Sequence, residues 1–94
     1  MTQLWLVLVE VNNDSSPSKI GFMNVTTWAE SEDDATNKIQ RYLESLGWNL
    51  ISVEKTDIID EEATYAEEVI EMISRAHANA DAIILGTFHT YKPN

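Results

Sequence analysis

Two histidines, His77 and His89, are the residues in this chain best suited to moving a proton near neutral pH. His89 stands in Thr87-Phe88-His89-Thr90-Tyr91, at the end of the last expected strand. Strand ends hold side chains at the rim of a rigid sheet. A histidine with a tyrosine two residues on is a usable acid–base pair. His89 and Tyr91 are therefore the candidate catalytic residues, in a pocket that Trp28 and Trp48 would help to line. The simpler reading of His89 is an exposed or hydrogen-bonded strand histidine, and the expectation is that the protein is not an enzyme. His77 falls near the end of the second expected helix, where a protonated imidazole favours the helix dipole.

Other chemistries lack their residues. There is no cysteine, which excludes disulfides, thiolate metal sites and a cysteine nucleophile. The histidines stand in no HxxxH or HExxH spacing, so zinc has no ligand motif. No DxDxDG-like loop supports calcium. The three glycines form no GxGxxG fingerprint or phosphate loop, and no Ser–His–Asp order is present. No metal and no cofactor is expected.

Acidity is the strongest signal. Sixteen acids face six bases, for a formal net charge of −10. Half of those acids lie between Glu54 and Glu71. Such a surface repels phosphate backbones and anionic lipid, so neither nucleic acid nor membrane is an expected partner. Its plainest role is solubility. Its sharper role is to meet a basic protein. Asp60, Glu61, Glu67, Glu68 and Glu71 are the candidate contact residues. Trp5 joins them, because tryptophan is frequent at interface hot spots.

These residues need a scaffold, and the stretch from Trp28 to Glu54 supplies its organising unit. Ser31 is placed as an N-cap, with Glu32, Asp33 and Asp34 in the first turn. Ala35, Ile39, Tyr42, Leu43 and Leu46 recur at helical spacing. Gly47 follows, where a left-handed residue closes a helix. Asp34 and Lys38 form a favourable i,i+4 pair. Trp48 to Lys55 then resumes as a strand, giving a strand–helix–strand unit whose crossover should be right-handed.

Around this unit, Gln3 to Val11 reads as a strand that is apolar on both faces. Leu4, Leu6 and Leu8 point one way; Trp5, Val7 and Val9 point the other. Asn12 to Lys19 reads as a polar, mobile loop, and Ile20 to Ala29 as the hairpin partner. Asp60 is placed as the N-cap of a second helix with a buried stripe of Ala66, Val69, Ile70, Ile73 and Ala76. Ala82 to Tyr91 reads as a last strand, and residues 92–94 as a frayed tail.

The order is ββαβαβ in a single α+β domain over residues 1–94. The expected architecture is a two-layer sandwich: a four-stranded sheet with both helices on one face, broadly a ferredoxin-like plait. The usual plait order is βαββαβ, so the layers are expected rather than the exact topology. With one face bare, a strand apolar on both sides implies a homodimer packed through the open sheet. A small, acidic, non-enzymatic interaction module, regulatory or inhibitory, is the expected function; a ligand-binding protein or enzyme with a pocket near His89 is the alternative. The absence of cysteine and of a signal-like N-terminus favours the cytoplasm.

Overall fold

The computed structural model describes residues 2–90, without the side chains of residues 16–18. Its elements in order are β1 (Gln3–Asn13), β2 (Ser16–Ala29), α1 (Glu32–Ser45), β3 (Trp48–Ile58), α2 (Glu67–Ala78), β4 (Ile84–Leu85) and β5 (His89–Thr90). The sheet order is β3-β1-β2-β4, and β5 pairs with β2 on the same side as β4. All pairings are antiparallel. The ββαβαβ order and the α+β class are as expected. No helix among the described residues is long and apolar enough to cross a membrane.

The β1–β2 hairpin is the spine. It pairs from Gln3↔Ala29 to Asn12↔Ile20 without a break and reaches its turn through Asn13↔Ser16. The stretch 12–19 is therefore not a loop throughout. Residues 12–13 and 16–19 belong to the strands, and only Asp14 and Ser15 turn the chain. The Asn13 side chain accepts a hydrogen bond from the Ser15 amide at 2.8 Å, a local turn bond that polar residues make readily. The residues expected to fray at 92–94 lie outside the described residues.

Strand alternation assigns each helix to a face. Trp5, Val7, Val9 and Val11 share a buried cluster with Met23, Val25, Ala35, Ile39 and Leu43, so α1 covers the odd face of β1. Leu4 clusters instead with Met72, Ala76 and Ile84, with Trp28 packed alongside. Leu4 is paired with Trp28, and Ile84 with Thr26, so these residues occupy the even face. Hence α2 lies across the sheet from α1. The expectation of both helices on one face is corrected: each face receives one helix. Two-sided apolarity in β1 is met inside one chain, at least where both helices reach.

The ends of α1 carry the expected devices. The Ser31 hydroxyl accepts from the Asp34 amide at 3.1 Å, and Gly47 has φ +85 just beyond the helix. A side chain there would be strained. Lys38 lies 3.5 Å from Asp34 and donates to the Trp28 carbonyl at 3.1 Å, tying α1 to the end of β2. Within the apolar stripe, Ala35, Ile39 and Leu43 are buried, while Tyr42 and Leu46 stay exposed.

The second helix departs from expectation at its start. It begins at Glu67 behind Ala66, which makes no side-chain cap bond. Asp60 caps a turn instead: its carboxylate accepts from the Glu62 amide at 2.9 Å. An Asp followed by two acids suits a tight turn as well as a helix start. The buried stripe is Val69, Met72 and Ala76, so Ile70 is left exposed and Ile73 half-buried.

The expected last strand is broken. Leu85 pairs with Val25 and His89 with Phe22, so Gly86 to Phe88 oppose only Met23 and Asn24. That extra residue is a bulge, a common device at a sheet edge. β3 at the other edge has two similar irregularities, skipping Glu54 and Ile51 in its pairing with β1.

Candidate functional site

The histidine expected to line a pocket sits on the β5 edge and is exposed. Its Nε2 lies 3.9 Å from Glu68 Oε2. The other oxygen of Glu68 accepts from the Thr87 amide at 2.6 Å, so this carboxylate fastens α2 to the bulge. A hollow of about 220 Å³ beside it is lined by Glu68, Glu71, Met72, Arg75 and residues 85–87, and His89 is not among its walls. Tyr91 lies outside the described residues. Trp28 and Trp48 do not meet: Trp28 packs on the even face with α2, while Trp48 packs on the odd face against Phe88, ring centroids 4.8 Å apart. Trp28 and Trp48 therefore do not line one pocket with His89, because Trp28 pairs with Leu4 on one face and Trp48 with Asn13 on the other.

Trp5 is buried within the chain. It is 9% exposed in the α1 cluster, and its indole N–H donates to the Ala29 carbonyl at 3.1 Å. An amphipathic ring satisfied in this way is a core residue.

The acidic candidates do not form one face. Glu68 turns to Thr87. Glu61 reaches His77, with Oε1 2.6 Å from Nε2. That imidazole also meets Trp28 edge-on at 5.4 Å between centroids, and the Trp28 indole donates to the Ala76 carbonyl at 2.9 Å. Asp60 is spent on its turn. Glu67 and Glu71 remain exposed on α2. No group of three or more His, Asp or Glu among the described residues is arranged to hold a metal ion.

Two further surfaces emerge, the first on the sheet face that the sequence pattern marks for self-association and the second unforeseen. The first is the uncovered part of the even sheet face. There Leu6, Leu8, Asn24, Lys55 and Asp57 line a hollow of about 210 Å³, with Lys55 and Asp57 paired at 3.4 Å. Their registers agree: Leu8 pairs with both Asn24 and Lys55, and Leu6 with Asp57. On β1, α2 clusters with Leu4 and not with Leu6 or Leu8. The second surface is a groove of about 320 Å³ between α2 and the 59–66 connection, lined by Glu61, Ala63, Tyr65, Ile70, Ile73 and His77. Its signal in the sequence was Ile70, an isoleucine one position off the stripe that is buried.

No family model, curated protein or solved structure matches this chain.

Proposed function

We propose that this protein is a non-enzymatic interaction module that self-associates through the open part of its even sheet face. The observation that supports this is the half-buried pair Leu6 and Leu8, uncovered by either helix, on the floor of a hollow rimmed by Lys55 and Asp57. Apolar surface gains about 25 cal/mol for each Å² removed from water, so a patch on a central strand favours a cover. A two-fold contact would lay the same patch of each copy against the other.

Light scattering tests it. At micromolar concentration the protein should show about twice the 10.6 kDa chain mass. Leu8→Asp should return it to one chain mass with unchanged far-ultraviolet circular dichroism. A wild-type protein that stays monomeric at high concentration rejects the reading. The ligand-binding or enzymatic alternative rests on the Glu68–His89 approach.

A further inference from the structure

We propose that the groove between α2 and the 59–66 connection is a docking site for a basic amphipathic segment of another protein. The inference deepens the interaction-module reading but does not require the homodimer, whose contact lies on the sheet face at Leu6 and Leu8.

The groove is built by several independent ties. The Ile59 amide donates to the Leu4 carbonyl at 2.8 Å, which carries the chain off the end of β3. The Asp60 amide donates to the Tyr65 hydroxyl at 3.0 Å, folding the connection back on itself. Glu61 then bridges to His77 in the last turn of α2. The connection is thereby held against α2. Ile70 and Ile73 form the floor between them. Ile70 is 53% exposed, the most exposed of the large apolar residues described. An isolated exposed isoleucine needs no explanation, but one that floors a groove beside a second isoleucine and a tyrosine does.

Charge selects the occupant. The connection reads Asp60-Glu61-Glu62-Ala63-Thr64-Tyr65-Ala66, with three acids and no base. Glu67 follows at the start of α2, also exposed. The one cationic group in the lining is His77 when protonated, and it is engaged by Glu61. Arg75 belongs to the hollow on the other side of the helix, beside Glu68 and Glu71. An apolar floor walled by Glu61, with exposed Glu62 and Glu67 in the chain that flanks it, fits a segment that offers a bulky apolar side chain flanked by lysine or arginine, as in helix-in-groove recognition. A second copy of this chain is a poorer match for this groove, because it offers six bases against sixteen acids to flank an apolar anchor.

An amphipathic leucine–lysine peptide in helical spacing is the probe, titrated calorimetrically and followed by methyl NMR. Binding should shift the methyls of Ile70 and Ile73, and the same peptide with glutamate for lysine should not bind. Ile70→Asp, a change at an exposed position, should weaken binding about tenfold or more, as expected for a central anchor. Glu62→Lys with Glu67→Lys should weaken it as well and lower its dependence on salt. The monomerising Leu8→Asp variant should bind as the wild type does, which separates this proposal from the dimer. Equal binding by Ile70→Asp, equal binding of the glutamate peptide, or shifts centred on Leu6 and Leu8 would overturn it.

Discussion

Two hydroxyls show how little exposure alone says about a residue. Ser31 is exposed, yet its oxygen satisfies the Asp34 amide in the first turn of α1. Thr26 is 0% exposed on the even face, and its hydroxyl oxygen has no hydrogen-bond partner. Removing the first should cost stability: Ser31→Ala is expected to lower unfolding free energy by about 0.5–2 kcal/mol. Removing the second should help. An unpaired buried polar group carries a penalty of about 1–3 kcal/mol, and valine keeps the shape without the oxygen. Thr26→Val is therefore expected to raise the urea midpoint while Ser31→Ala lowers it. A lower midpoint for Thr26→Val would show that the hydroxyl is satisfied in solution. Neither partner assignment was legible in advance at Thr26, because alternation gave its face and nothing gave its neighbours. Ser31 was legible, since an N-cap bonds to an amide only three residues away.

The same division between local and distant causes runs through the elements. α1 could be read closely because both of its ends and its buried triad lie within a single stretch of chain. The β1–β2 faces were equally open to reading, since a period of two needs no partner to define it. α2 was not. Val69-Met72-Ala76 and Ala66-Ile70-Ile73 both fit helical spacing, and only the docking of Met72 and Ala76 on Leu4 and Ile84 decides between them. Nor could β1 say which helix covers which face, because it is apolar on both. The candidate site followed suit: its acids were visible, but their partners, Thr87 for Glu68 and His77 for Glu61, are distant in the chain. The bulge between β4 and β5 has one local requirement. A Cβ at Gly21 would run into the His89 carbonyl and would come within 2.8 Å of the Phe88 ring. The ring's contact with Trp48 closes the hairpin end of the odd face. Gly21→Ala should thus destabilise by about 1–3 kcal/mol through overpacking, and should strip protection from the β5 amides in hydrogen exchange before those of β1. Unchanged exchange at His89 and Thr90 would mean that β5 can shift aside at no cost.

At the scale of the whole molecule, charge and apolar surface pull against one another. Each chain carries a net charge of −10, which resists bringing two copies together. The proposed contact is nevertheless set at Leu6 and Leu8, with both signs present at its rim in Lys55 and Asp57. Long-range repulsion between exposed acids fades as the screening length shortens from about 8 Å at physiological salt to about 3 Å at 1 M. Contact between apolar side chains is not screened. Self-association should therefore strengthen as sodium chloride rises, with sedimentation equilibrium showing a lower dissociation constant at 1 M than at 0.05 M salt, two conditions that span that screening range. A contact held by the Lys55–Asp57 pairs would respond in the opposite direction, weakening with salt. The direction of the response thus distinguishes a sheet contact driven by the two leucines from one driven by charge. Lys55→Gln refines the test: it removes a favourable rim charge, raises the net repulsion, and should steepen the salt dependence without abolishing the dimer.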